Sequence, residues 1–173
     1  MKTLDIQLLQ QMLDEGYVTT QKHPHADLYI YNYTAAAQYE KKWNEITLQC
    51  RGLIMDKNYQ IVARPFCKFF NLEEHAGKCL PDTAFDVYEK MDGSLGILYW
   101  LNDDAYIATR GSFASEQALK GTAILNKKYT DILHTLDKSL TYLFEIIYPE
   151  NRIVLDYGGM EDLVLLAVID TQS

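Results

Sequence analysis

Leu4, Leu8, Leu9, Met12 and Leu13 recur at the three- and four-residue spacing of a single helix face, and Gly16 ends the run, which predicts a helix over residues 3–15. Beyond it the period changes. Residues 27–33 alternate polar and aromatic side chains as a strand does. Residues 47–56 and 60–66 are strand-like runs on either side of Lys57-Asn58-Tyr59, the pattern of a hairpin. The apolar run Ala84-Phe85-Asp86-Val87-Tyr88 reads as a strand, and the Asp92-Gly93 pair after it as a tight turn. Residues 94–101 and 105–110 make another hairpin around Asn102-Asp103-Asp104. Helical spacing returns over residues 115–128 and 131–136, and residues 141–148, 151–157 and 163–169 read as late strands. Hairpin-linked strands with helices between them predict an α+β fold built on antiparallel sheets.

Composition narrows this picture. A chain of 173 residues with 48% hydrophobic content can bury the core of a single domain and is not of the disordered class. There is no internal repeat, low-complexity tract or Gly/Ser linker, so residues 1–173 read as a single domain. No apolar run approaches the roughly 20 residues that span a bilayer. The start, Met1-Lys2-Thr3-Leu4-Asp5, lacks a signal-peptide core, and a cytoplasmic location is expected, with no membrane partner. The 3 cysteines include no C-x-x-C pair, which argues against a disulfide framework. Cys67, His75 and Cys79 match no common zinc module and have no evident fourth ligand. His23 and His25 flank Pro24 in what reads as a polar loop, and His134 reads as a boundary residue.

The formal net charge of −8 sets a condition on any nucleic-acid role. Extended phosphate contacts need clustered Lys and Arg, so a basic docking surface would be small and local, or supplied elsewhere. A nucleotide pocket needs only a few cations.

The candidate chemistry sits at Glu89-Lys90-Met91-Asp92-Gly93-Ser94. A lysine at the end of a strand and two residues before a turn places an amine at the lip of a sheet, where a small ligand can reach it. Such an amine attacks phosphorus or carbonyl centres when its lone pair is free. By itself K-x-D-G also describes a solvated strand-end lysine. Elsewhere, Arg51 precedes Gly52, which permits close backbone approach. Glu145 lies in the apolar run 143–147, where a carboxylate is costly unless paired; a ribose contact, a metal-bound water and an ion pair with Arg152 are the alternatives.

Further segments accompany the lysine: Cys50-Arg51-Gly52-Leu53-Ile54-Met55, Ala63-Arg64-Pro65-Phe66-Cys67-Lys68-Phe69-Phe70-Asn71, Ala108-Thr109-Arg110-Gly111-Ser112, and Phe144-Glu145-Ile146-Ile147-Tyr148-Pro149-Glu150-Asn151-Arg152-Ile153-Val154. In this order and spacing, over residues 27–170, the chain resembles the ATP-dependent RNA ligases of the phage T4 RNA ligase 1 type. These belong to the covalent nucleotidyltransferases, with DNA ligases and mRNA capping enzymes. The R-P-F-x-K-F-F-N and F-E-x-x-x-P-x-N-R-I-V segments distinguish this branch from DNA ligases.

The resemblance implies the nucleotidyltransferase fold (the ATP-grasp-like DNA/RNA ligase architecture), with antiparallel sheets flanking a nucleotide cleft. It implies Lys90 as the nucleophile that takes AMP from ATP, with Mg2+ or Mn2+ shielding the phosphates. The adenylate would then pass to an RNA 5′-phosphate, and a 3′-hydroxyl would seal the strand. Arg51 would contact the nucleotide or its phosphates, Lys68 would be a second cleft lysine, and Phe70 would wall the base pocket. Glu89 would accept from the adenine amino group. Asp92 and Gly93 would shape the turn, with Gly93 packing against the sugar. Arg110 stands where the family has a lysine, which leaves its contact open. Glu145 would bind ribose or a metal-bound water. The family's later Glu-Gly pair and Lys-x-Lys strand are not found in residues 1–173, so the expectation is the front part of an adenylyltransferase domain, served by a separate C-terminal portion. Other readings are a catalytically impaired nucleotide-binding or interaction module, and a DNA ligase or capping-type transferase with another acceptor.

Overall fold

The computed structural model describes residues 4–75 and 82–172. Helix α1 (Ile6–Asp14) starts at Asp5, whose carboxylate accepts the Leu8 N–H, and it is followed by β1 (Val18–Lys22) and β2 (Leu28–Tyr33). Two short helices come next, α2 (Ala35–Tyr39) and α3 (Glu45–Gln49). The hairpin of β3 (Arg51–Asp56) and β4 (Ile61–Ala63) completes a sheet of order β1-β2-β3-β4. A second sheet has the order β6-β5-β7-β8, from β5 (Ser94–Leu101), β6 (Asp104–Ala108), β7 (Leu140–Ile147) and β8 (Asp162–Asp170). Helices α4 (Glu116–Lys128) and α5 (Thr130–Leu133) lie between β6 and β7 in sequence. All strand pairs are antiparallel.

Packing follows the alternation of side chains along each strand. One face of the first sheet, with Val18, Tyr31, Leu53 and Met55, is covered by Leu9 and Met12 of α1 and Ile46 of α3. Its other face, with Leu28, Ile30, Ile54 and Ala63, meets Ile97, Tyr99 and Leu143 of the second sheet. The far face of that sheet, with Leu98, Ile107 and Ile146, is closed by Ile124 and Leu125 of α4. The result is an α+β sandwich of helix, sheet, sheet and helix, and both sheets are buried at their centres.

Arg64 crosses this sandwich although it carries a charge. It is 8% exposed. Its Nε donates to the Thr171 carbonyl at 3.0 Å and its Nη1 to Gln49 Oε1 at 2.7 Å, while its backbone N–H donates to Thr141 Oγ1 at 2.9 Å. One residue thereby ties α3 and the end of β4 to the start of β7 and the end of β8. Hydrogen bonds offset the cost of burying the guanidinium.

The hairpins form as expected. Asp56 accepts the N–H groups of Asn58 and Gln60 in the first, and Asn102 (φ 50°) and Asp103 (φ 72°) make the left-handed turn of the second. Four expectations need correction. Residues 47–49 are helical rather than strand, because Asn44 accepts the Ile46 and Thr47 N–H groups and Thr47 Oγ1 accepts the Asn44 N–H, a capping box. Residues 84–88 form no strand, for no described strand offers partners to their backbone groups; Phe85, Val87 and Tyr88 are 83–85% exposed. The tight turn expected at Asp92-Gly93 is only a bend, since Gly93 has no positive φ and leads straight into β5. Residues 151–157 are a loop after the 3-10 turn Pro149–Asn151, because the Val154 and Leu155 N–H groups are taken by a side chain. Strand β1 was not anticipated: only Val18 of its residues is buried, so its alternation is faint. No helix among the described residues is long and apolar enough to cross a membrane.

Arg64→Met keeps the apolar stem and removes both side-chain hydrogen bonds. Hydrogen bonds to charged groups contribute about 1.5–3 kcal/mol, so a loss on that order is expected. It should appear as a lower urea midpoint at unchanged m; an unchanged midpoint would show that the clamp contributes nothing.

Candidate active site

Lys90 stands at the end of the exposed segment 82–90, two residues before the chain is gripped from several sides. Asp92 Oδ2 accepts the Val154 and Leu155 N–H groups, each at 2.6 Å. The Asp92 N–H donates to Tyr157 Oη at 2.8 Å, and the Gly93 N–H to Glu145 Oε1 at 2.9 Å. Ser94 Oγ and the Asn151 amide lie 3.1–3.2 Å apart, and Asn151 Nδ2 also donates to the Ile146 carbonyl at 3.1 Å. Only glycine fits at position 93: a Cβ there would stand 2.5 Å from the Ile146 carbonyl oxygen.

These contacts set the local electrostatics. The N–H groups of Leu155 and Val154, with the charge of Lys90, hold the Asp92 carboxyl below the usual carboxylate range. Glu145 on β7 is half-buried, and burial pushes its carboxyl up; the Gly93 N–H and the charge of Lys90 pull it partly back. Lys90 therefore acts electrostatically on two carboxylates that lie beside its own turn.

A second cluster adjoins this one. A cleft of about 460 Å³ is lined by Arg51, Ser94, Leu95, Thr109, Arg110, Gly111 and Gln117. Gly52, at φ +100°, lies so close to Arg110 that a Cβ would stand 3.1 Å from the Arg110 Cα and carbonyl oxygen. Arg51 Nη1 is buried and has no hydrogen-bond partner among the described residues. Its guanidinium lies over the Phe69 ring at 4.9 Å, and that of Arg110 over Tyr33 at 5.4 Å. Lys68 Nζ sits 4.4 Å from the Phe70 ring centroid and 5.7 Å from that of Trp43, and it donates to the Phe69 carbonyl at 2.7 Å. Trp43 in turn packs edge-on against both Tyr33 and Phe70.

The sequence-derived candidates thus fall into two neighbouring groups. Asp92, Gly93 and Glu145 form one with Lys90; Arg51 and Arg110 form the other, linked to the Lys68–Phe70 cluster through aromatic rings. The groups meet at the start of β5, where Ser94 and Leu95 line the arginine cleft and Leu95 lies opposite Glu145 on β7. Among the described residues, the pocket lined by Lys68 does not include Glu145, and Glu89 is exposed. Arg152 pairs with Asp156 at 2.8 Å, which removes the Glu145–Arg152 ion pair as an account of Glu145. Sequence reasoning missed Tyr33, Trp43, Gln117 and Tyr157. Asn151, Ser94, Phe69 and Thr109 lay within quoted segments without being singled out. Among the described residues no group of three or more His, Cys, Asp or Glu side chains could hold a metal ion, and Cys79 lies outside them.

A lysine turn fastened to a half-buried carboxylate, next to paired guanidinium groups, defines a site suited to anionic ligands. The chain belongs to the RNA ligase family, of the T4 RNA ligase 1 type: the family's sequence profile matches residues 49–173. It is 29% identical, over 92% of its length, to the "Putative bifunctional polynucleotide kinase/RNA ligase" of Autographa californica nuclear polyhedrosis virus. It is 33% identical over 72% of its length to the "Putative RNA ligase" of Thermovibrio ammonificans, and 25% identical over 82% to the "RNA ligase" of Rhodothermus phage RM378. The matched portions are 26%, 34% and 41% of those relatives, so the chain spans well under half of each.

Burial raises the Glu145 pKa, so the folded chain keeps the Glu145 proton to higher pH than the unfolded chain does. The corresponding stability is complete below the ordinary glutamate value and is lost as pH rises through the raised folded value. Glu145→Gln, neutral at every pH, is spared that loss. The stability of Glu145→Gln relative to the wild type should therefore climb as pH increases from the ordinary glutamate value, measured by urea unfolding across a pH series. A difference that stays flat or falls would show that Glu145 is not held in this state.

Proposed function

We propose that the chain is the nucleotide-accepting part of an ATP-dependent RNA ligase with the covalent nucleotidyltransferase fold, and that Lys90 carries AMP. The observation that bears most weight is the anchoring of the K-x-D-G-S turn to Glu145 beside a cleft holding a buried, unpartnered guanidinium nitrogen of Arg51. A buried N–H donor left without a partner is costly, and a phosphate oxygen would satisfy it. Arg110, over Tyr33 at the same cleft, supplies a second charge. The ring of Phe70 is suited to packing on a base.

In this reading the neutral Nζ of Lys90 forms a P–N bond to the α-phosphorus of ATP. The bond from that phosphorus to the bridging oxygen breaks, pyrophosphate leaves, and the amine proton passes to solvent. Arg51 and Arg110 hold phosphate oxygens and oppose the charge that builds on them. Asp92 and Glu145 keep the turn in place through backbone N–H groups rather than by touching the reacting atoms. A bound Mg2+ would neutralise phosphate charge. Glu145 is the side chain here that could face it, through water, since magnesium commonly needs only one or two carboxylates when phosphates complete its shell. An oxygen of an RNA 5′-phosphate then attacks the adenylate phosphorus, the P–N bond breaks and the Lys90 amine leaves with a proton from solvent; a 3′-hydroxyl attacks the RNA phosphorus, displaces AMP and seals the strand, its proton passing to solvent. Family membership supports RNA ends as substrates.

A second reading, a nucleotide-binding portion that does not itself complete joining, is favoured by the net charge of −8, since extended RNA contacts need clustered cations. Joining of 5′-phosphate to 3′-hydroxyl RNA ends, compared with the first step alone, separates the two.

Incubation with α-labelled ATP and magnesium is expected to leave label on the peptide containing Lys90, with none on Lys90→Ala and little from GTP. Label on another lysine would sink the assignment. Arg51→Ala should weaken ATP binding by about 10- to 100-fold, the loss of a charged hydrogen-bond donor. Titration calorimetry checks this, and unchanged affinity would remove Arg51 from the phosphate site.

A further inference from the structure

Residues 92–94 are held by five side chain–backbone and side-chain contacts, whereas residues 82–90 before them are exposed and make no hydrogen bond with the described residues. Among the described residues, the contacts that place Lys90 come from its C-terminal side. Whatever orients residues 92–94 also orients the amine two residues away. Most of that grip comes from the loop after β7, which carries Asn151, Val154, Leu155 and Tyr157.

Within the grip, Tyr157 has a distinct place. Its hydroxyl oxygen accepts the Asp92 N–H, the backbone donor closest in sequence to Lys90 that is engaged here. The Asp92 carboxylate takes two N–H groups of the same loop, so Asp92 and the segment 154–157 clasp each other in both directions. Asp92 and Tyr157 also share a small pocket of about 180 Å³ with Asn151 and Arg152, and the chain turns around it. We infer that Tyr157 is a positioning residue for Lys90: its hydroxyl sets the direction in which the backbone leaves the anchored turn, and so where the amine stands. This rests on the reading of Lys90 as the nucleophile. Tyr157 touches no reacting atom; it acts through Asp92.

The geometry predicts a specific division of effects. In-line attack on phosphorus is sensitive to small displacements, so loss of the hydroxyl should slow the chemical step and spare ATP binding, which depends on Arg51 and Arg110. Val154 and Leu155 would still hold the Asp92 carboxylate, so Tyr157→Phe should fold as the wild type does.

The test compares full-chain wild type and Tyr157→Phe. One measurement is the rate of lysine labelling by α-labelled ATP as a function of ATP concentration. The other is hydrogen exchange of the amides of residues 91–93 at equal thermal midpoint. Expected are a labelling rate lower by about ten- to a hundredfold, an unchanged half-saturating ATP concentration, and faster exchange at Asp92. Unchanged exchange would overturn the inference, because the hydroxyl would then not hold the turn. Faster exchange with wild-type labelling would also overturn it, since the hold would not matter to the amine. If the wild type takes no label at all, the reading of Lys90 fails and the positioning role fails with it, while exchange still reports whether Tyr157 holds Asp92. A rise in the half-saturating ATP concentration without a change in rate would assign Tyr157 to binding instead.

Discussion

Gly52 and Arg110 meet so closely that one added methyl group would press on the Arg110 backbone from 3.1 Å. The contact joins the start of β3 in one sheet to the chain just after β6 in the other. A side chain at position 52 would face three obstacles: that neighbour, the Ile97 Cδ1 at 2.7 Å, and a backbone angle of +100° that side-chain-bearing residues rarely adopt. Glycine allows the two sheets to close at this end, and their closing brings Arg51 and Arg110 to one cleft. The inter-sheet core of Ile30, Ile54, Ile97 and Leu143 holds the sheets together, but it does not by itself determine how near the two guanidinium groups come.

The lysine turn is positioned by a different kind of force. Its anchors are polar, and they work because they are partly withdrawn from water. Glu145 would be unfavourable on an apolar strand without the Gly93 N–H and the nearby charge of Lys90. Asp92 takes backbone donors that residues 151–157 would otherwise need to place in a sheet. One carboxylate thus converts a segment with strand-like sequence into a loop, and that loop becomes the support of the turn.

Net charge is a poor guide to such a site. The chain carries −8, yet Arg51, Lys68 and Arg110 are each placed over an aromatic ring in one neighbourhood. Ring faces attract the cations and limit their freedom without neutralising them. A local positive field can therefore coexist with an acidic surface elsewhere.

The α+β class, both hairpins, helices α1 and α4, and the likeness to the RNA ligase family were legible in the sequence. Period, caps and turn residues act over a few positions, and the family segments are contiguous. The sequence by itself also placed Arg51, Arg110 and Glu145 among the candidates, through the segments that contain them. It misread residues 84–88 and 151–157, since a strand requires a partner and apolar alternation does not say whether one exists. It did not reveal Tyr33, Trp43 or Tyr157, which belong to no local pattern. Tertiary structure decided these points, and it divided the candidates into a turn anchored by carboxylates and a cleft lined by arginines. The physical reason is that local propensities are summed along the chain, whereas hydrogen-bond partners, burial and ring contacts are assigned only when segments distant in sequence are packed together.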